Sequence, residues 1–156
     1  MYSGKTSTAE GYNRFADVAQ EMKNDPSLRV IDQTEAAIFL ESEEFKAAVA
    51  KYYDISVDEL EDRNNVNGGG ARDWLFNGPD SPWAIASKNF VMNTSGDVRL
   101  MVGLETRHGG ILYDTELAAL VEKLNAPSGG ITSVDGVSRE SLLLFENSDD
   151  LREGIF

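Results

Sequence analysis

The chain contains no cysteine. That excludes disulfides, thiolate nucleophiles and every cysteine-based metal site. It fits a reducing compartment, and a cytoplasmic location, or a particle assembled in the cytoplasm, is the expectation. Histidine is almost as scarce: His108 stands alone, so a histidine-rich metal centre is excluded. Long apolar runs are missing too. The longest are a few residues, such as Leu142-Leu143-Leu144-Phe145, whereas a membrane span needs about 20. The opening residues do not combine a basic start with an apolar run, so neither a secretory leader nor a membrane is expected. Bases are in short supply: 14 Lys and Arg stand against 27 Asp and Glu, a net charge of −13. Such a surface repels nucleic acid and anionic lipid at long range. Direct nucleic-acid binding is therefore not expected, and a basic partner is.

What is present suffices for a folded core. Apolar residues make up 41% of the 156, with two Trp, five Tyr and seven Phe. That length suits a single domain, 1–156. A glycine-rich stretch at 63–73 marks a possible sub-division into an acidic helical part, 7–62, and a sheet-containing part, 74–156.

The charge is unevenly spread. Residues 1–30 hold four acids and four bases. Residues 31–62 hold ten acids and only two bases, Lys46 and Lys51, a net of −8. Residues 64–156 hold 13 acids and seven bases, a net of −6 over about three times the length. Solubility alone accounts for a net charge; its concentration in one stretch marks where a partner would bind.

Periodicity and end signals predict helices at about 8–25, 34–53 and 57–62. Ser7-x-x-Glu10 and Ser56-x-x-Glu59 are capping-box patterns, and Ser42-Glu43-Glu44 is a second start that splits 34–53 in two. Tyr12, Phe15, Ala19 and Met22 form the apolar stripe of the first helix, which stops near Asp25-Pro26. In the second region Ile38, Phe45, Val49 and Tyr52 share one face, with Phe39, Leu40, Ala48 and Tyr53 beside it. Residues 63–73 read as a flexible loop, followed by a turn-rich connection from Asn77 to Pro82. Phe90 to Leu104 reads as a hairpin turning at Ser95-Gly96-Asp97. Asp114 is the expected cap of a helix at about 115–125, built on Leu117, Leu120, Val121 and Leu124. Val134-Asp135-Gly136-Val137 is a two-residue hairpin signal, with strands expected at 131–134 and 142–146. Ser148-Asp149-Asp150 caps a last turn. Helices crowd the first part and strands the second, so the expected class is α+β with a mainly antiparallel sheet and one inserted helix.

No motif specifies a reaction. Gly4-Lys5-Thr6 matches the end of a phosphate-binding loop, but only three residues precede it, and the pattern needs an earlier glycine after a strand. No Gly-x-Ser-x-Gly elbow occurs. Glu43-Glu44, Asp58-Glu59 and Glu61-Asp62 are sequence neighbours on helices, so their side chains diverge instead of pairing as acid and base. His108, beside Arg107, is the one candidate acid–base group, with Glu105 or Asp114 to orient it. Arg72, after Asn67-Gly68-Gly69-Gly70, is a candidate anion anchor. No cofactor and no metal are implied; no Ca²⁺-loop pattern appears.

Ala48-Val49-Ala50-Lys51-Tyr52-Tyr53-Asp54-Ile55-Ser56-Val57-Asp58-Glu59-Leu60 is similar to the end of many helix-turn-helix DNA-binding domains. The resemblance covers about 13 residues and implies a helical turn. The chemistry opposes DNA, because a recognition unit presents Lys and Arg to phosphates. Here the face carries Asp54, Asp58, Glu59, Glu61 and Asp62.

The expectation is a non-catalytic acidic interaction protein. It would dock on a basic protein surface, or on assembly neighbours, as an inhibitor, an immunity-type protein or a virion or tail component. Its candidate partner-binding residues are Glu43, Glu44, Asp58, Glu59, Glu61 and Asp62, with Trp74 and Trp83 as aromatic anchors. The alternatives are a small enzyme using His108 and nearby carboxylates, and a purely structural subunit.

Overall fold

Three hydroxyls start three short helices. The computed structural model describes residues 2–3, 23–99, 101–102, 112–126 and 128–143. Thr34 Oγ1 accepts from the Ala37 amide at 3.2 Å and starts α1, Glu35–Leu40. Ser42 Oγ accepts from the Phe45 amide at 3.2 Å and starts α2, Glu43–Tyr52. Ser56 Oγ accepts from the Glu59 amide at 3.2 Å and starts α3, Val57–Glu61. Glu59 completes this capping box by accepting from the Ser56 amide at 2.8 Å. Each bond satisfies an amide that a helix start otherwise leaves without a partner. The split of 34–53 at Ser42 is thus as expected, and α2 leads into α3 through a tight turn. There Asp54 adopts φ 55°, Ile55 N–H donates to Ala50 O at 3.0 Å, and Asp54 N–H donates to Lys51 O at 3.3 Å. This is a Schellman closure with aspartate in the left-handed position usually held by glycine.

The stretch expected as a flexible loop is helical in its second half. Gly69–Phe76 forms α4. Gly68 serves close packing: a Cβ there would lie 2.1 Å from the Glu59 carbonyl oxygen. Arg72 then reaches back from α4 to the end of α3. Its Nη1 donates to Glu59 O and Asp62 O, both at 2.8 Å, and its Nη2 donates to Asn65 O.

A second correction concerns the hairpin expected at 90–104. Pro82–Asn93 is instead a 12-residue helix, α5, started by Ser81 Oγ accepting from the Ala84 amide, with proline in its first turn. The helix touches α1, α4 and later elements, and buries Ala84, Ala86, Ser87 and Val91. Packed on several sides, it has no clean apolar stripe, so Phe90-Val91-Met92 read as strand. Gly96–Val98 does form a strand, β2, but its partner lies downstream.

After α5 and β2, a π-helical turn over Leu112–Glu116 leads into α6, Leu117–Asn125, the inserted helix. Asp114 lies exposed inside that turn and is not the N-cap of α6. β4, Ile131–Val134, then pairs parallel with β2 and antiparallel with β5, Val137–Ser138. The β4–β5 turn is the expected one: Asp135 and Gly136 both have positive φ, 48° and 82°, the two-residue geometry that matches strand twist. Arg139–Leu142 forms a short helix, α7, so the strand expected from 142 does not begin there. Residues 144–146 lie outside the described residues. A separate parallel pair joins β1, Tyr2–Ser3, to β3, Met101–Val102. The fold is α+β: a helical region, then a mixed sheet with an inserted helix. The capping box at Ser7, most of the helix at 8–25 and the cap at Ser148 fall outside the described residues; Lys23 and Asn24 are helical and the helix stops at Asp25.

Buried side chains form two clusters. Val49, Leu60, Ala71 and Leu75 join α2, α3 and α4, with Trp83 packed against them. Val91, Val98, Leu117, Leu120, Leu124, Ile131, Val134 and Leu142 join α5, α6, α7 and the sheet. α5 serves both, through Trp83 near its start and Val91 near its end. α4 therefore belongs with the helices before it.

Candidate interaction surface

The apolar residues of α1 and α2 exceed what two short helices can bury. Val49 and Ala50 go inward, and so do Ala37 and Leu40. Ile38 and Phe39 stay 60% exposed, and Tyr52 83%. Two of them, Phe39 and Tyr52, make ring contacts on this surface. Phe39 meets Phe45 with ring centroids 5.0 Å apart, and Phe45 stacks towards Trp74 of α4 at 6.4 Å. Tyr52 packs edge-on to Tyr53 at 5.2 Å. Between α2 and α4 lies an open groove of about 420 Å³, lined by Phe45, Ala48, Val49, Tyr52, Tyr53 and Trp74. Trp74 keeps 46% of its surface exposed there. Trp83, the other candidate anchor, is half-buried against the helical cluster and stacks on Phe76 at 6.2 Å.

The candidate acids fall into two roles. Glu43 and Glu44 are exposed in the first turn of α2, and Asp58 is exposed in the first turn of α3. There the helix dipole favours negative charge. The other three are engaged in the fold. Glu59 caps α3, and its second oxygen accepts from the Asn67 amide at 2.8 Å. Bonds from the Ser56 amide, the Asn67 side chain and the Ser56 hydroxyl hold its carboxyl below the usual range. Glu61 pairs with Lys46 at 2.8 Å, and Lys46 also reaches Glu41 at 3.0 Å. These hydrogen bonds, Glu61's first, raise the Lys46 pKa. Asp62 Oδ1 accepts from the Asn64 amide at 2.9 Å.

Several bases point inward. Arg72 donates to carbonyls at the end of α3. Lys123 donates to Val91 O, Met92 O and Thr94 O at the end of α5. Arg139 donates to Leu124 O at 2.8 Å and Ala126 O at 2.9 Å at the end of α6. Cations at helix C-termini satisfy orphan carbonyls and complement the dipole. The consequence for the surface is electrostatic: three positive charges sit at internal helix ends while Glu43, Glu44 and Asp58 face solvent. Arg72, the candidate anion anchor, has both terminal nitrogens committed to backbone oxygens.

His108, Arg107 and Glu105 lie outside the described residues. Asp114 is exposed. A second cavity, of about 460 Å³, lies between the turn at Ile31–Gln33 and α5; its lining holds Arg29, three hydroxyl residues, Gln33 and two asparagines, without a carboxylate or histidine. Among the described residues no group of three or more His, Asp or Glu is placed to hold a metal ion, and no helix is long and apolar enough to cross a membrane.

The sequence contains the groove's residues, since Phe45, Val49 and Tyr52 share one helix face. What it does not show is that this face stays half open. The available signal is an excess: the apolar residues from Ile38 to Tyr53 cover more than one stripe. No protein-family model, no curated protein and no solved structure matches the chain.

Proposed function

We propose that this chain is a non-catalytic acidic interaction protein that docks on a basic surface of a protein partner through its helical half. The observation that carries this reading is the open aromatic groove between α2 and α4, beside the exposed acids Glu43 and Glu44. Aromatic side chains supply contact area at low entropic cost and dominate binding hot spots. Surrounding charge steers encounter and sets partner choice more than affinity. An inhibitor, an immunity-type protein and a component packed in an assembly all use such a face.

The test is affinity capture from the native source at low salt, run in parallel with Glu43→Gln/Glu44→Gln/Asp58→Asn. These three acids are the appropriate ones, because Glu59 and Glu61 also hold the fold together. A partner retained by the wild type, released as salt rises and absent from the triple variant supports the reading. Equal retention by both proteins at every salt concentration refutes it.

A further inference from the structure

We infer that the groove between α2 and α4 receives one amphipathic helix of a partner, with an apolar face flanked by Lys or Arg that are densest at the end meeting the start of α2. This rests on the docking reading above and names the occupant. Three observations select it.

The first is the groove's walls. Both are helices, and their backbone groups are already bonded within α2 and α4. No strand edge borders it among the described residues. An extended peptide there would find no ladder to join and would leave its own amides without partners against an apolar wall. A helix satisfies its backbone internally and needs only side-chain contacts. The lining of the groove on α2 runs from Phe45 to Tyr52, about 12 Å at 1.5 Å per residue, so the occupant makes about two turns of contact.

The second is the floor. Ala48 is small and exposed between the larger Phe45, Tyr52 and Trp74. A small residue flanked by aromatics leaves a slot for one branched aliphatic anchor, with places for a second and third at helical spacing along Phe45 and Tyr52.

The third is charge. Glu43 and Glu44 stand exposed at the start of α2, where Lys46 is paired with Glu41 and Glu61, and Asp73 precedes Trp74 on α4. At the far end Lys51, near the end of α2, is offset by the exposed Asp54, so that end is close to neutral. The field is therefore polarised along the groove, which orients a cationic helix. The net charge of −13 opposes a second copy of this chain as the occupant.

The probe is a synthetic 14-residue Leu/Lys peptide with leucines at helical spacing. Two controls accompany it: the same composition with scrambled order, and a Leu/Glu version. Trp83→Phe leaves Trp74 as the sole tryptophan reporter. Saturable one-to-one binding should shift Trp74 emission to the blue and weaken as salt rises. The scrambled peptide should bind at least tenfold more weakly, and the Leu/Glu peptide not at all. Ala48→Gln, which suits a helix and fills the slot, should weaken the Leu/Lys peptide at least tenfold at unchanged melting temperature. Trp74→Ala, followed by calorimetry, should do the same. Equal binding of the ordered and scrambled peptides overturns the inference, while leaving charge-driven docking intact. So does full affinity in Ala48→Gln. Absence of binding by every peptide also overturns it, and the capture experiment then decides the broader reading independently.

Discussion

The Lys123 ammonium donates a 2.6 Å hydrogen bond to the carbonyl oxygen of Met92, in the last turn of α5. The same nitrogen reaches Val91 O at 3.3 Å and Thr94 O. Lys123 is only 7% exposed, and burial lowers its pKa. Replacing it by methionine keeps the stem's packing and removes the ammonium from Met92 O and Thr94 O, while Val91 O keeps the Thr94 amide. An unsatisfied buried polar group costs about 1–3 kcal/mol. Lys123→Met is therefore expected to lose about 2–3 kcal/mol in urea unfolding. A loss under 0.5 kcal/mol, on the same scale, would show that water replaces the ammonium without penalty.

Asp54 closes α2 from a left-handed conformation that glycine adopts without strain. Asp54→Gly relieves that strain but gives the unfolded chain more freedom. At φ 55° the first effect prevails, with an expected gain of about 0.5–1 kcal/mol. Thermal melts of the two proteins measure it, and a lower melting temperature for the variant contradicts the account.

Glu59 is a carboxylate with a depressed pKa. Its folded form binds the proton less readily than its unfolded form. The stabilisation is present above the unfolded value and disappears as pH falls through the folded one. Acid should thus loosen α3 in the wild type. Glu59→Gln should show a flatter stability profile below about pH 4.5, the region of ordinary glutamate titration. Parallel slopes for the two proteins would remove Glu59 from the acid response.

Glu116 shows the opposite case. It is 5% exposed, and burial raises its pKa, while a hydrogen bond from the Ser87 side chain partly offsets the rise. Here the folded form holds its proton more tightly. The contribution is most favourable below the unfolded pKa and is lost as pH rises through the folded one. Glu116→Gln keeps the shape without the charge. It should gain stability relative to wild type as pH rises from 4 to 8, and a difference that shrinks over that range would contradict the assignment.

The helix starts were legible because their signals are local. Thr34, Ser42 and Ser56 act on amides three residues away, and Asp135-Gly136 closes its own hairpin. α4 and α5 were hidden for a tertiary reason. Glycines at 68–70 read as flexibility, although Gly68 is there because the Glu59 carbonyl presses against it. α5 lost its periodic stripe because it packs on several sides, leaving Ser81-Pro82 as its only clear local mark. Phe45 and Tyr52 were on the expected face, with Tyr53 beside it, but Trp74 came from a helix read as loop, and the exposure of all four depends on what covers that face.

The amino-acid sequence by itself determined the concentration of acid in residues 31–62, the absence of thiol chemistry, and the places where α1, α2 and α3 begin. These follow from composition and from contacts between near neighbours along the chain. Tertiary structure decided which acids remain exposed and which are tied to Lys46, Ser56 and Asn67. It decided that Arg72, Lys123 and Arg139 turn inward onto helix ends. It also brought Trp74 across from α4 to face Phe45. Apart from the local Ser56–Glu59 box, most of those outcomes depend on groups 7 to 32 residues apart meeting in space, and no short-range pattern records such meetings.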